Sequence, residues 1–150
     1  MERIWKPNTT VAAVIERDGA FLLVEEETDD GVRLNQPAGH LDQGESLVAA
    51  CARETLEETA WQFTPTELIG IYQWQRPASD LTYLRFAFAG TLGEHDVQRQ
   101  LDTGIHRALW LDLGEIIAAQ AIHRSPLVLQ CINDFLAKRR FPLDLIRHYR

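Results

Sequence analysis

The sequence predicts an α+β fold in which a mixed β-sheet carries helices on both faces. Three observations lead there. Short segments rich in β-branched and aromatic residues lie on either side of an amphipathic helix that starts near Ser46. Two further helical patterns follow late in the chain, one after Asp112 and one after Ser125. No repeat, low-complexity stretch or linker interrupts the 150 residues, so a single domain over 1–150 is expected.

In chain order, residues 9–15 read TTVAAVI, an apolar run that predicts a buried strand. Arg17, Asp18 and Gly19 predict a turn, and Phe21 to Val24 a returning strand, so these two strands are expected to form a hairpin. Glu25 to Glu27, with Asp29 and Asp30, reads as a solvated acidic tip closed by Gly31. Leu34 to Pro37 is extended, because a residue before proline is pushed out of the helical region. Ser46 is a good helix N-cap, with Glu45 placed where a helix N-terminus favours negative charge. Both sides of the helix are small or apolar until the glutamates begin, which predicts packing on more than one side. Thr64 and Pro65 are read as a break. Leu68 to Trp74 and Leu81 to Leu92 predict neighbouring strands, with Tyr83, Arg85, Ala87 and Ala89 on one face of the second. Gly93 to Gly104 is a polar loop, Arg107 to Leu111 a short strand, and Asp112 a helix cap. Ser125 followed by Pro126 starts a last amphipathic helix.

Composition limits the function. Hydrophobic residues make up 45% and charged ones 25%, values of an ordinary soluble protein. The net charge of −7 argues against broad nucleic-acid binding, which needs a basic surface. The two cysteines, Cys51 and Cys131, fall in apolar helical patterns and read as buried free thiols. No apolar run has the length of a membrane span, and MERIWKPN lacks a signal-peptide core, so a cytoplasmic protein is expected.

The chemistry concentrates between Gly39 and Trp61. Glu54, Glu57 and Glu58 stand at i, i+3 and i+4, close together on a helix. Like charges so placed repel. They become favourable around a hard divalent cation such as Mg²⁺, which takes carboxylate oxygens and leaves other positions to water and phosphate. The spacing extends further. Gly39 is followed by five residues and Glu45, then by seven residues and Arg53 with Glu54, then by Glu57 and Glu58. This resembles the box of the Nudix hydrolases, G-x5-E-x7-R-E-U-x-E-E-x-G-U. Thr55 and Ala60 depart from it, standing where a bulky apolar residue and the second glycine are usual. Asn35 to Leu41, Gln73 with Trp74, Leu84 to Phe86, Arg124 to Leu127 and Phe141 to Leu143 together resemble the NudJ-type phosphatases of that family.

The resemblance implies a Nudix-type α/β/α sandwich and metal-dependent hydrolysis of phosphoanhydrides. The metal expected is Mg²⁺, with Mn²⁺ able to substitute. The NudJ type implies nucleoside di- and triphosphates or thiamine-related pyrophosphates as substrates. Matching positions imply Glu54 and Glu58 as metal ligands, with the Gly39 carbonyl as another. Glu57 either binds metal or takes the proton of the attacking water, and Asp102 or Glu94 outside the box is an alternative base. Arg53 either clamps the box carboxylates or touches phosphate; its planar fork favours the first. Glu45 either orients Arg53, helps bind metal, or serves as helix N-terminal charge. For the substrate itself, Trp74 and Tyr83 offer stacking faces and Arg85 a phosphate partner, against the alternative of plain sheet packing. His40 is read as a hydrogen-bonded structural residue, and Trp5 and Trp110 as core or edge packing. The expected partner is a small phosphorylated molecule, with no membrane and no extended nucleic acid, for a monomer or weak homodimer. Two other functions stay open, a nucleotide-sensing domain without turnover and a pyrophosphohydrolase of 5′ RNA ends.

Overall fold

The computed structural model describes residues 1–150. The elements are β1 (Asn8–Ala13), β2 (Glu16–Arg17), β3 (Ala20–Thr28), β4 (Gly31–Asn35), β5 (Ala38–His40), α1 (Leu47–Thr59), β6 (Trp61–Gln75), β7 (Thr82–His95), β8 (Ile105–Asp112), α2 (Leu113–Ala118), α3 (Leu127–Leu136) and β9 (Phe141–Pro142). One sheet has the order β5-β1-β7-β6-β9; in the other, β3 pairs with β2, β4 and β8. β1 and β7 are parallel and the other pairs antiparallel, so the first sheet is mixed.

Strand alternation sends side chains to two cores. Val11 and Ala13 join Ala50, Cys51, Phe63, Leu68 and Phe88 on the α1 side. Ala12 and Val14 join Phe21, Leu23, Ile69, Ala87, Ile116, Cys131 and Ile132 on the α2 and α3 side. A strand buried on both faces has no polar alternation, which is why residues 9–15 read as one apolar run. The result is the expected α+β sandwich. Cys51 and Cys131 are free and buried in opposite cores. No helix is long and apolar enough to cross a membrane.

The expected first hairpin is corrected. The turn exists, with Asp18 at φ +52° and Gly19 at +82°. It joins β2 to β3, whereas β1 pairs with β5 and β7. The chain changes sheets at Val14 and Ile15. The Val14 amide donates to the Phe88 carbonyl in one sheet, and the Ile15 carbonyl accepts from Leu22 in the other, both at 2.9 Å. The acidic run is also corrected. Glu25 to Glu27 belong to β3, and only Asp29 and Asp30 form a turn. Cross-strand partners make this tolerable: Arg107 meets Glu25 and His106 meets Glu27, each at 2.8 Å. Nor do Thr64 and Pro65 break the chain. They lie within β6, where the β6/β7 register shifts between Pro65 and Glu67. A bulge removes the need for the amide that proline lacks. Gly90 lies opposite, where a Cβ would overlap the Thr64 carbonyl. β7 runs on to His95, into the stretch read as loop.

Candidate active site

Helix α1 begins as the sequence implies. The Ser46 hydroxyl accepts from the Ala49 amide at 3.0 Å. It ends at Ala60, which takes the left-handed conformation at φ +63° that the family pattern fills with glycine. The Ala60 amide donates to Leu56 and its carbonyl accepts from Asp96, both at 2.9 Å, so the turn is kept at the expense of backbone strain.

Arg53 is the clamp of the carboxylate cluster. Its Nε and Nη2 donate to the two oxygens of Glu45, at 3.0 and 2.7 Å. Its Nη1 donates to Glu54 at 2.8 Å and Glu57 at 3.2 Å, and Nη2 also donates to the His40 carbonyl at 3.1 Å. Arg53 holds rotamers, and its fork is occupied by protein oxygens. Glu45 accepts in addition from the Asp42 amide at 2.9 Å, so it ties the loop to Arg53. Arg53 holds the Glu45 carboxyl below the usual range. His40 contributes its main chain; its ring is exposed on the cleft wall, correcting the expectation of a hydrogen-bonded ring.

Beyond the clamp, carboxylates outnumber cations. Carboxylate oxygens of Glu54, Glu57 and Asp102 lie within 4.8 Å of one another. Asp102 arrives on the β7–β8 loop, anchored by its amide to the Glu57 carbonyl at 3.0 Å. Glu94 lies exposed near the end of β7 and is not one of these three. Glu58 is 7% exposed and accepts from the Ala38 amide at 2.9 Å. Burial pushes its carboxyl up to about 9, helped by the nearby charges of Glu26, Glu54 and Asp102. Burial also raises Glu54, against the pull of Arg53. At Gly39, on β5, a Cβ would overlap the Glu54 carboxylate, so only glycine lets this strand approach the helix so closely. Hard oxygen donors crowded without enough counter-charge fit a divalent cation. Glu54, Glu57, Glu58 and Asp102 are the carboxylates available to hold it, with Gly39 packed against Glu54.

A cleft of about 400 Å³ opens beside Glu54, Glu58 and Gly39. Trp74 and Tyr83 are cross-strand partners on its wall, with rings stacked at 6.0 Å and 25°. Arg76 pairs with Asp30 at 3.1 Å and Arg124 with Glu26 at 3.0 Å, both within the lining. Arg85 lies deeper, buried against Asn35 and Gln36. The structure thus brings Trp74, Tyr83 and Arg85 to one cleft with Gly39, Glu54 and Glu58. Sequence reading missed Glu26, Thr10 and Asn35 as cleft residues; the alternation of β3 was a usable signal for Glu26. Trp5, expected to pack, is 60% exposed, while Trp110 packs edge-on against Trp61 beneath Arg17.

Carboxylates gathered at the mouth of a cleft walled by arginines and aromatics belong to a hydrolase of small phosphorylated molecules. Residues 5–131 match the NUDIX domain family. The chain is 39% identical over 143 residues to Phosphatase NudJ of Escherichia coli strain K12, covering 95% of this chain and 92% of that one. It superposes on a NUDIX hydrolase from Nitrosomonas europaea with TM-score 0.93 and 54% identity, covering 96% and 98% of the two chains. A MutT NUDIX hydrolase from Burkholderia pseudomallei shares the fold alone, at TM-score 0.68 and 17% identity over 87% and 98%. The chain belongs to the Nudix family and is a hydrolase of phosphoanhydrides. Members of this family generally use divalent metal ions.

Proposed function

We propose that the protein is a Mg²⁺-dependent phosphatase of small diphosphates, cleaving phosphoanhydrides of nucleoside di- and triphosphates or thiamine-related pyrophosphates, with Mn²⁺ able to replace Mg²⁺. The observation that carries this is the meeting of Glu54, Glu57 and Asp102 within 4.8 Å, beside a glycine that a Cβ would drive into Glu54. Glu54, Glu58 and Asp102 would hold the metal. Bound there, a divalent ion neutralises phosphate charge and lowers the pKa of a water. Glu57, less buried than Glu54 or Glu58, is the carboxylate open to accept the proton of the attacking water. Arg53 and Glu45 position it. Trp74 and Tyr83 offer the flat wall for a substrate ring. The shared likeness to Phosphatase NudJ supports the phosphatase reading, and the acidic net charge of −7 supports free small substrates over RNA ends. A cytoplasmic setting suits such substrates.

The test is a substrate panel in Mg²⁺ and in Mn²⁺, with inorganic phosphate and pyrophosphate measured separately. Turnover of free nucleotides or thiamine-type pyrophosphates, above that of 5′-triphosphorylated RNA, is expected. Absence of any phosphate or pyrophosphate release across the panel would sink the reading and leave a sensor.

A further inference from the structure

We propose that Arg85 forms the floor of a phosphate-binding subsite within the cleft, a site for one phosphate group of the substrate. This deepens the hydrolase reading and rests on it for the identity of the substrate. Arg85 is 6% exposed, yet all its hydrogen-bond partners are neutral. Nη1 donates to Gln36 Oε1 at 2.9 Å and lies 3.8 Å from Cys131 Sγ; Nη2 donates to Asn35 Oδ1 at 3.0 Å. Burial pushes the Cys131 thiol up, so it supplies no negative charge. The other arginines with acidic neighbours in the lining, Arg76 and Arg124, are already paired. A buried guanidinium without a counter-anion is unfavourable, and an arriving anion relieves that.

The two amides are fixed with their oxygens toward Arg85. Gln36 Nε2 donates to the Val128 carbonyl at 2.7 Å, and Asn35 Nδ2 to Glu26 at 3.3 Å. They orient the guanidinium and leave its charge uncancelled; a carboxylate at either place would cancel it. Thr10 is the cross-strand partner of Arg85, is 8% exposed, and lines the cleft, as does Ser125 at 9%. Thr10 therefore puts a hydroxyl on the face that carries Arg85, and Ser125 adds another to the cleft lining. Tyr83 lies two residues back along β7 on the same face, roughly 7 Å nearer the wall formed with Trp74. The substrate accordingly enters with phosphate inward and ring against Trp74 and Tyr83.

Asn35→Asp tests this with little change of shape. It places a carboxylate on Arg85, while Glu26 keeps Arg124. Metal-free protein would be titrated with inorganic phosphate and followed by NMR on the Arg85 Nε–H and Gln36 side-chain amide signals. Wild type is expected to shift both signals saturably. Asn35→Asp should weaken phosphate about tenfold or more, and Arg85→Lys should fall between, keeping charge but losing the fork. Steady-state KM should rise by a similar factor in Asn35→Asp, with kcat changing less. Wild-type phosphate affinity in folded Asn35→Asp and Arg85→Lys would overturn the subsite. Phosphate binding that depends on Asn35 in a protein without turnover would keep the subsite and remove the hydrolase reading. Turnover with phosphate affinity unchanged in both variants would remove the subsite alone.

Discussion

Arg53 lies on α1 with four carboxylates, Asp42, Glu45, Glu54 and Glu57, at 2.7 to 3.4 Å. Arg85 lies on β7 with two amide oxygens and a thiol, and no carboxylate at all. The first region has more negative charge than its arginine can neutralise; the second has a positive charge with no carboxylate bonded to it. Each imbalance points at a ligand of the opposite sign, a cation in one place and a phosphate in the other. The same residue type thus does two jobs, and its partners decide which. A saturated arginine holds neighbours still. An unsaturated one waits for something from outside.

Changes on the acidic side should have the larger effects on turnover. Glu58→Gln keeps an oxygen for the Ala38 amide but removes a carboxylate that a bound cation would need. Turnover should fall by about 10²–10³-fold in a protein that remains folded. Product release assays read the rate. Thermal melts should show Mg²⁺ stabilising wild type more than the variant. Gly39→Ala forces Glu54 aside, and since a misplacement of an ångström can cost about 10²-fold, a loss near that size is expected. Near-normal turnover would mean the strand and helix need not approach so closely. Arg53→Lys retains charge but cannot serve Glu45, Glu54 and Glu57 together; a fall in kcat of roughly tenfold with little change in KM would mark a positioning role. A rise in KM alone would instead place Arg53 on substrate, beside Arg85 in function. The smallest effect lies outside both charge clusters. Ala60→Gly should raise stability by about 1 kcal/mol in denaturant titration, because glycine takes φ +63° without a Cβ clash.

The two regions were unequally legible in the sequence. The carboxylate cluster could be read because Glu45, Arg53, Glu54, Glu57 and Glu58 share one short segment, and helical spacing converts directly into proximity. The same holds for Ser46 as cap and for strands β1 and β7. Asp102 could be named only as an outside carboxylate, since its anchoring to Glu57 depends on a loop conformation. The setting of Arg85 was not legible. Asn35, Gln36 and Cys131 come from segments distant in sequence, and strand alternation gave only the face on which Arg85 lies. The acidic stretch of β3 misled for a related reason. Its partners Arg107, His106 and Arg124 lie about eighty to a hundred residues away, so locally it looked like a solvated run. Pro65 misled because a bulge, which sequence does not announce, accommodates it.

The passage of the chain from one sheet to the other at Val14 and Ile15 has a mechanical consequence. Glu26 and Asn35 ride on the second sheet, and Thr10, Trp74, Tyr83 and Arg85 on the first. The chain crosses between these walls at Val14 and Ile15, where amide and carbonyl are bonded at both ends, and again between β4 and β5, between β7 and β8, and between β8 and β9. Hinged opening of the cleft would have to tear the bonded seam at Val14 and Ile15. The walls should therefore move as one piece, leaving side chains and the 76–81 turn to adjust to substrate. Amide hydrogen exchange offers a direct reading: the Val14 and Leu22 amides should exchange only as fast as the whole molecule unfolds, with or without ligand.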